Sequence, residues 1–486
     1  MQLEELLKDI YPQPIEDRFK SISVSSIDTD SRKIKLGSLF VALKGQKFNG
    51  ADFIPDVVKK GACVIVTGED NALWEQSVNG CCYLKIPDPH QFLRGAVRNF
   101  YGNPSANVGA IGVTGTNGKT TTTYLIESIL RESDKACAII GTVNYRVGSK
   151  VMASTNTTPS FIDNQQFLYE MVKEKIDYCV MEVSSHALDQ RRVDLIDFKA
   201  AVFTNLTRDH LDYHKTMEDY FAAKSLLFKN LSTEATAVIN LDDPYGRKLV
   251  SLTEAKQLTY GIKANANIMA KDIQLSLANS QFKLIYPEGE AVIRTKLVGA
   301  YNIYNILAAT ATCLSQGISI EKIKLGIEHL QEVPGRLEPV DCGQDFSVFI
   351  DYAHSPDALE NVLTTIRQTS DAKIILVFGC GGNRDKSKRP QMGKIGGQLA
   401  DFCIVTSDNP RGEEPQTIID EIIGGFEKDN YKAIVERQEA IGQALKIAQK
   451  GDIVLIAGKG HETYQIFSDR TIKFDERQII RQALRC

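Results

Sequence analysis

The stretch GAIGVTGTNGKTTTTYLI, residues 109–126, decides how the middle of this chain folds and what it binds. An apolar run leads into a turn bounded by Gly115 and Gly118, and Lys119, a run of threonines and an apolar segment follow. This order predicts a strand, a phosphate-binding loop and a helix whose first N–H groups point at the phosphate. Val113 stands where the common G-x-x-x-x-G-K-[ST] pattern has its first glycine, so the loop is a variant of that pattern.

Three side chains of this region are candidates for nucleotide chemistry. The Lys119 amine is predicted to reach the terminal phosphates, and the Thr120 hydroxyl to ligate Mg²⁺. Glu182 ends the apolar run YCVME, where a carboxylate partner of the nucleotide's Mg²⁺ belongs. The alternative is a glycine-rich turn without function, and the strand before it and the helix after it argue against that.

Length and composition restrict the class of protein. A chain of 486 residues predicts two to four domains. The net charge of −4 offers no basic surface for nucleic acid or for an anionic membrane. No apolar run approaches the roughly 20 residues that span a bilayer, and residues 1–14 lack the order of a signal peptide. Ten cysteines without a C-x-x-C pair indicate free thiols in a reducing cytoplasm, rather than a disulfide or zinc framework.

Two Gly- and Pro-containing stretches, 100–109 and 330–340, divide the chain. They predict domains at 1–103, 104–333 and 334–486. In the second and third domains, short apolar runs alternate with helical stretches, which is typical of α/β folds with parallel sheets. We therefore expect a small N-terminal α/β domain, a central P-loop-type ATPase domain with a mostly parallel sheet, and a C-terminal Rossmann-like domain.

Four apolar runs of the C-terminal domain each end in charged, Gly or His residues. These runs are FSVFIDYAH, KIILVFGCGGNRD, FCIVTSDNPR and DIVLIAGKGHE. Ligands of open α/β sheets bind beyond the carboxyl ends of the strands. Four such ends on one sheet predict one polar rim and therefore a binding site.

Other polar residues have more ordinary interpretations on their own. His210 and His214 are four residues apart, which on a helix would place them on one face. No cysteine or third histidine accompanies them in the sequence, so a zinc site is disfavoured. Lys224, within YFAAKSLLF, is typical of a helix lysine whose stem packs on apolar surface.

Ten motifs occur in order along nearly the whole chain. They are TGTNGKTTT, EVSSHAL, TNLTRDHLDYH, YFAAK, INLDDP, PGRLE, DYAHSPDAL, GCGGNRDKSKRP, SDNPR and GKGHE. Together they resemble the Mur ligase family, the ATP-dependent ligases of peptidoglycan biosynthesis, and the variant loop is similar to the family's own phosphate loop. The resemblance implies that the three domains bind, in turn, a UDP-sugar substrate, ATP and an incoming amino acid.

The activity implied by the resemblance is the addition of meso-2,6-diaminopimelate to UDP-N-acetylmuramoyl-L-alanyl-D-glutamate. The γ-carboxylate of D-glutamate would attack the γ-phosphate of ATP, and the amine would then displace phosphate from the acyl phosphate. A cytoplasmic monomer with small-molecule substrates is expected. The alternatives are an L-lysine-adding ligase of the same step, folylpolyglutamate synthetase, and an ATP-driven switch or binding protein. SDNPR argues against the first two, and the polar rim argues against the third.

The resemblance also implies residue roles. Those implied for ATP are Gly115, Thr116, Asn117, Gly118, Lys119, Thr120, Thr121, Asn302, Arg336, Asp351 and His354. Those implied for Mg²⁺ are Thr120, Glu182, His210 and a carbamylated Lys224, and the catalytic set is Lys119, Glu182, His210 and Lys224. Those implied for the UDP-sugar are Thr29, Ser31, Gln46, Lys47, Phe48, Asn156, Thr157, Thr158, Ser184, Gln190 and Arg192. The chain departs from the family pattern at Asn49, Ala51 and Asn383.

The amino-acid pocket follows from the chemistry of diaminopimelate, which carries one more carboxylate than lysine. Arg411 offers a planar fork for that carboxylate, and Arg384 offers a second cation. Glu462 is the candidate acceptor for the ammonium. The remaining residues of the predicted pocket shape its loops: Asp408, Asn409, Pro410 and Gly458. An isolated DNPR tetrapeptide would be better interpreted as a tight turn with a surface arginine. In the ligases that this chain resembles, the same tetrapeptide marks the diaminopimelate-adding members, so the resemblance implies the pocket instead.

Overall fold

The computed structural model of this chain describes residues 1–45, 48–68 and 81–485. Their contacts separate two units. The first contains Met1–Gly109, Pro159–Ile176 and Gln190–Asp197, and the second contains Ala110–Thr158, Asp177–Asp189 and Phe198–Cys486. The predicted α/β class with mostly parallel sheets is confirmed. The domain boundaries at 103/104 and 333/334 stay predictions.

The first unit contains a four-stranded parallel sheet in the order β1-β2-β3-β4. Its strands are β1 (Ser26–Asp28), β2 (Ser38–Ala42), β3 (Val64–Thr67) and β4 (Cys82–Lys85). Its helices are α1 (Leu3–Leu6), α2 (Asp17–Lys20), α3 (Ile54–Lys59), α4 (Pro89–Tyr101) and, from the inserted segment, α6 (Phe161–Lys173). All residues of β2 and β3 are buried, as a parallel sheet covered on both faces requires.

The second unit begins with an eleven-stranded sheet whose centre is parallel. In chain order its strands are β5 (Gly109–Thr114), β6 (Cys137–Ile140), β7 (Asn144–Val147), β8 (Lys150–Ala153), β9 (Tyr178–Glu182), β10 (Phe198–Phe203), β11 (Thr236–Asn240), β12 (Lys256–Gly261), β13 (Ile268–Leu275), β14 (Ser280–Tyr286) and β15 (Gly289–Thr295). The spatial order is β15-β14-β13-β12-β11-β10-β5-β9-β6-β7-β8. Antiparallel strands form both ends, so β5 lies in the buried parallel part.

Helices cover this sheet and bury its apolar residues. They are α5 (Lys119–Glu132), α7 (Ser185–Asp189), α8 (Leu211–His214), α9 (Met217–Lys229), α10 (Pro244–Leu249), α11 (Ala300–Ser315) and α12 (Ile320–His329). The α5 residues Ile126 and Ile129 share one core with Ile303 and Leu307 of α11. The helix that follows the phosphate loop is therefore anchored by hydrophobic burial along its length.

The second unit also contains a six-stranded sheet in the order β16-β17-β21-β18-β19-β20. Its strands are β16 (Glu338–Pro339), β17 (Ser347–Asp351), β18 (Ile374–Phe378), β19 (Phe402–Val405), β20 (Tyr431–Ala433) and β21 (Ile453–Ala457), and a hairpin of β22 (Tyr464–Ile466) and β23 (Thr471–Lys473) follows. The helices are α13 (Pro356–Thr369), α14 (Lys388–Leu399), α15 (Pro415–Ile423), α16 (Arg437–Ile447) and α17 (Glu476–Leu484). The four runs singled out in the sequence are the adjacent parallel strands β17, β21, β18 and β19. Their polar ends therefore lie at one edge of the sheet, as predicted.

Two expectations concern the chain as a whole, one about membrane spans and one about the cysteines. Within the described ranges, no helix is both long and apolar enough to cross a membrane. The cysteines found as free thiols are Cys63, Cys81, Cys82, Cys137, Cys179, Cys313, Cys380 and Cys403. Cys342 is disulfide-bonded, so the expectation of a free thiol is wrong at this position.

Asp243 illustrates how a short polar side chain fixes a helix start and a neighbouring loop. Its Oδ1 caps α10 by accepting from the backbone N–H groups of Tyr245 (2.8 Å) and Gly246 (3.2 Å). Its Oδ2 accepts from the backbone N–H of Leu206 (2.9 Å), in the segment after β10.

We predict that Asp243→Ala lowers the free energy of unfolding by about 1–2 kcal/mol, since it removes a helix cap and leaves the Leu206 N–H unpaired. Asp243→Asn, which keeps one acceptor oxygen, is the matched control and should lose less. Urea denaturation of the three proteins measures the difference. Equal stability of wild type and the alanine variant would contradict the assignment.

Candidate active site

The loop between β5 and α5 is held in a conformation that only glycine adopts readily. Gly115 has φ 146° and Gly118 has φ 87°. A Cβ at Gly115 would lie 1.8 Å from Thr204 Oγ1, and a Cβ at Gly118 would lie 2.3 Å from Asn305 Oδ1. Both glycines are therefore required by the backbone conformation and by close packing.

The segment after β10 supports the loop by hydrogen bonds. The backbone N–H of Thr116 donates to the Asn205 carbonyl (2.9 Å), and that of Asn117 donates to Asn205 Oδ1 (3.0 Å). The Thr204 hydroxyl donates to the Asn117 carbonyl (2.6 Å). These contacts fix the loop without a ligand.

Two lysine amino groups converge on one carbonyl oxygen of the loop. Lys119 Nζ lies 3.0 Å and Lys224 Nζ 2.8 Å from the oxygen of Gly115. Lys119 Nζ also donates to the Thr116 carbonyl at 2.8 Å. Burial lowers the pKa of Lys224 well below its ordinary value, and the charge of Lys119 lowers it further. The arrangement therefore favours an uncharged Lys224 amine next to Lys119.

Glu182 is buried at the end of β9, with 1% of its surface exposed. It accepts hydrogen bonds from the Thr120 hydroxyl (3.0 Å) and from the backbone N–H (2.8 Å) and hydroxyl (2.9 Å) of Thr142. Arg336 Nη2 donates to Thr120 Oγ1 at 3.0 Å. Among the described residues no lysine or arginine forms an ion pair with Glu182. A hydroxyl and a buried carboxylate without a cationic partner fit the oxygen ligands that Mg²⁺ prefers.

The histidines next to this loop differ from the sequence expectation. His210 lies at the N-cap of α8 in a left-handed conformation, and His214 ends this four-residue helix. A third histidine is present after all: the His186 ring lies 4.9 Å from that of His210 and 5.4 Å from that of His214. It belongs to α7, so the spacing along the chain did not reveal it. Within the described ranges, no three His, Cys, Asp or Glu side chains are arranged to hold a metal ion.

Tyr220 connects the loop with two of the predicted metal ligands. Its hydroxyl lies 3.3 Å from Thr116 Oγ1. Lys224 Nζ lies 4.6 Å and the His210 ring 6.0 Å from the centre of its ring. The structure therefore brings Lys224 and His210 to the same tyrosine ring, and their role as metal ligands stays a prediction.

Outside the loop, the side chains predicted to bind ATP mostly form hydrogen bonds with backbone groups. Asp351 accepts from the N–H groups of Leu337 (2.6 Å) and Ala353 (2.7 Å) and thereby positions the turn that carries Arg336. Burial raises the pKa of Asp351, against the opposing charge of Arg336. The remaining contacts are Asn302 Nδ2 to the Val298 carbonyl (2.9 Å), His354 Nδ1 to the Tyr352 carbonyl (2.7 Å), and a buried Thr121.

The rim of the C-terminal sheet brings the predicted amino-acid residues together. Arg411 Nη1 donates to the carbonyls of Gly382 (3.0 Å) and Asn409 (3.3 Å). A Cβ at Gly381 would lie 2.8 Å from Arg411 Nη1 and 3.9 Å from Arg384 Cγ, so the two arginines share one side of the rim. Burial lowers the pKa of Arg411, and the neighbouring charge of Arg384 lowers it further.

Carboxylates belong to the same rim. Asn409 Nδ2 donates to Glu462 Oε2 at 2.9 Å, and Lys459 Nζ lies 3.0 Å from the same oxygen. Asp408 Oδ2 lies 2.8 Å from the position of a Cβ at Gly458, which has φ 118°. The charges of Asp408 and Glu462 act on Arg411, so cationic and anionic groups lie close together at this rim. This suits a ligand with both a carboxylate and an ammonium group.

Comparisons with known proteins agree with this geometry. Residues 23–101 match the model described as "Mur ligase family, catalytic domain", 113–313 the "Mur ligase middle domain", and 335–460 "Mur ligase, glutamate ligase domain". A protein of Clostridium botulinum, named UDP-N-acetylmuramoyl-L-alanyl-D-glutamate–2,6-diaminopimelate ligase, is 42% identical over 100% of both chains. The chain belongs to the Mur ligase family.

Two further relatives carry the same name. One from Syntrophomonas wolfei is 44% identical over 100% of this chain and 99% of its own. A solved structure of a ligase of that name has a TM-score of 0.69 at 31% identity, covering 100% of this chain and 99% of the other. The Mur ligase resemblance predicted from the motifs is confirmed.

The residues predicted for the UDP-sugar fall into both units of this Mur ligase chain. In the first unit, the Thr29 N–H donates to Asp28 Oδ1, and the Ser31 carbonyl accepts from Lys60. The Phe48 side chain is exposed, with 71% of its surface accessible. Arg192 donates to Gln190. Gln46 and Lys47 lie outside the described residues. In the second unit, Asn156 N–H donates to Tyr145, Thr157 and Thr142 hydroxyls are 3.1 Å apart, and Thr158 Oγ1 accepts from the Ser184 N–H at 3.0 Å.

The departures from the Mur ligase pattern have structural uses. Asn49 Oδ1 accepts from the N–H of Ala51 at 3.1 Å and so starts a short 3₁₀ turn. Asn383 has φ 53°, a left-handed conformation that asparagine tolerates better than most residues. Its Oδ1 accepts from the N–H of Gly412 at 2.8 Å, next to Arg411.

Asp357, at the start of α13, was missed as a site residue although its motif DYAHSPDAL was noted. It accepts from Asn117 Nδ2 (2.6 Å) and from the Thr207 hydroxyl (3.1 Å). It therefore connects the phosphate loop to the C-terminal sheet's first helix. Its short distance to the loop depends on tertiary contacts that no local pattern reports.

We predict that Asp357→Ala raises the KM for ATP about 10-fold, since small displacements of a positioned loop are costly for binding. Glu360→Ala, on the exposed face of the same helix, is the matched control and should leave this KM unchanged. Steady-state kinetics at saturating concentrations of the other substrates measures both. An unchanged KM for ATP in Asp357→Ala would show that the contact does not position the loop.

Proposed function

We propose that this Mur ligase uses ATP to join meso-2,6-diaminopimelate to the D-glutamate γ-carboxylate of UDP-N-acetylmuramoyl-L-alanyl-D-glutamate, forming ADP and phosphate. The observation that carries the proposal is the rim of the C-terminal sheet, where Arg384 and Arg411 lie close to the carboxylates of Asp408 and Glu462. Full-length relatives at 42% and 44% identity carry the name of this ligase, which supports it.

The phosphate loop would act by positioning and charge neutralisation. Among the described residues, Lys119 donates only to carbonyls of its own loop, and it can turn to the terminal phosphates of ATP. Thr120 and Glu182 would hold Mg²⁺, which when bound neutralises charge on the phosphate oxygens as they approach the substrate carboxylate. Arg336 reaches the same hydroxyl and adds a further cation at this point. These groups lower the repulsion between phosphate and carboxylate, and the acyl phosphate forms.

The second half of the reaction needs the amine of the amino acid close to the acyl carbon. Arg411 and Arg384 would bind the distant carboxylate of diaminopimelate, and Glu462 its ammonium. Holding both charged groups of the distant end orients the molecule and therefore its reacting amine. A cytoplasmic location and a monomeric state remain predictions.

An omission experiment tests this function. ADP release from the purified protein is measured with all three substrates, and again with the UDP-sugar dipeptide or the amino acid left out. A ligase turns over only with the complete mixture. ADP release that ignores both co-substrates would instead identify an ATP-driven switch.

We predict that wild type prefers meso-diaminopimelate over L-lysine by roughly 10⁴-fold in kcat/KM, because lysine leaves the Arg411 side of the pocket without a carboxylate. Arg411→Ala should reduce this preference while the KM for ATP stays constant. Arg470→Ala, an exposed arginine paired with Asp469, is the matched control. Equal use of lysine and diaminopimelate by wild type would refute the role of Arg411.

Lys224 is proposed to act as a carbamate, an anionic oxygen ligand made from its amine and CO₂. Its burial, with 2% of its surface exposed, and its closeness to Lys119 both favour a form without positive charge. A carbamate would supply, with His210, the oxygen and nitrogen ligands for a second Mg²⁺.

We predict that Lys224→Ala loses at least about 10²-fold in kcat, and that small carboxylates restore part of it. Lys229→Ala, exposed on the same helix, should behave as wild type. A ¹³C NMR carbamate signal from labelled bicarbonate is expected in wild type and absent in Lys224→Ala. Full activity of Lys224→Ala without added carboxylate would rule out the carbamate.

A further inference from the structure

Arg437 is a fully buried arginine behind the predicted amino-acid pocket that neither the sequence motifs nor the proposed reaction use. It is the first residue of α16, and none of its side-chain surface is exposed. A buried guanidinium costs free energy unless its donors are satisfied. Its partners therefore indicate what it does.

The guanidinium of Arg437 spans the carboxyl ends of two strands. Nη2 donates to the carbonyl of Ala457 at 2.8 Å, and Nη1 lies 3.5 Å from the carbonyl of Ser407, a longer contact. Ala457 immediately precedes Gly458, and Ser407 immediately precedes Asp408. Arg437 thus contacts the backbone directly before two residues of the predicted pocket.

The two strands involved are not neighbours in the sheet. β19 and β21 are separated by β18, so no ladder hydrogen bonds join them. Beyond the sheet, a second buried cation makes a comparable connection: Lys459 Nζ donates to Asn409 Oδ1 and to Glu462 Oε2, each at 3.0 Å. Two cations therefore join the loops 408–411 and 458–462. Arg437 contacts the backbone just before each loop, and Lys459 connects the side chains of Asn409 and Glu462.

The charge of Arg437 is balanced by the C-terminal helix. Its Nε donates to Oε1 of Glu476 at 2.7 Å, and both side chains are wholly buried. Glu476 is the first residue of α17, and its Oε2 has no hydrogen-bond partner in the described part of the chain. A buried ion pair with an unsatisfied oxygen contributes little to stability compared with an apolar pair of the same size. The pair is therefore better explained by the positions it gives to neighbouring groups than by a contribution to stability.

We infer that Arg437, held by Glu476, is a positioning residue for amino-acid binding, which fixes the loops 408–411 and 458–462 at the spacing that the substrate requires. The electrostatics agree: although burial opposes it, Lys459 and Arg437 hold the pKa of Asp408 below its ordinary value. The identity of the bound amino acid rests on the proposed function, whereas the coupling of the two loops does not.

The test is the double variant Arg437→Met/Glu476→Met, which removes both charges and keeps apolar volume. Such replacements are often neutral or stabilising, so its melting temperature should stay at or above that of wild type. Hydrogen–deuterium exchange without substrates should show faster exchange in both 406–412 and 457–462. The KM for diaminopimelate should rise roughly 10-fold or more while the KM for ATP is unchanged.

Two further variants keep the test decisive if the double variant does not fold. Arg437→Lys preserves the charge but cannot reach both carbonyls and Glu476 at once, so it should show the same exchange and KM changes. Lys446→Met, exposed on the same helix, is the control and should match wild type. Unchanged exchange in both loops in the folded double variant, or in Arg437→Lys, would overturn the inference. Wild type that does not use diaminopimelate would instead refute the proposed function, and the exchange result would still stand.

Discussion

The site is organised by the meeting of two lysine amino groups at one backbone oxygen, the carbonyl of Gly115. Lys119 and Lys224 both donate to it, at 3.0 and 2.8 Å. Burial disfavours a charge on Lys224, and the nearby charge of Lys119 disfavours it further. Lys119 thus remains the cation that can meet nucleotide phosphates and a substrate carboxylate, while Lys224, on our account, becomes an anionic carbamate.

The remaining features of the second unit keep this charge in a defined place. Asn205 and Thr204 hold the loop from the neighbouring strand end, and Glu182 holds Thr120. Two side chains near β17 also contact this region. Arg336, before β17, donates to Thr120, and Asp357, after β17, accepts from Asn117. The phosphate loop is therefore hydrogen-bonded to segments next to β17, a strand of the sheet that carries the polar rim.

Features that local patterns encode were predicted well from the sequence. The strand, loop and helix over 109–126 follow from apolar runs and glycines, and the four polar strand ends follow from abrupt changes in composition. Long-range contacts were not predictable in this way. Asn117 and Asp357 are 240 residues apart, and His186 approaches His210 from another helix.

Buried charges were the other failure of pattern reasoning. An arginine at the start of a helix, such as Arg437, is typical of the surface, yet it is fully buried because Glu476 and two strand carbonyls satisfy it. The segments 159–176 and 190–197 group with the N-terminal residues through contacts between α6 and α4, which hydrophobic periodicity cannot report.

The central claim, that phosphate passes from ATP to a carboxylate at the Gly115 loop, is tested most directly by isotope transfer. The D-glutamate γ-carboxylate of the UDP-sugar dipeptide is labelled with ¹⁸O, and the phosphate released during turnover is analysed by mass spectrometry. An acyl phosphate intermediate places one labelled oxygen in each phosphate released with product. Phosphate without label, formed alongside the amide product, would contradict the account.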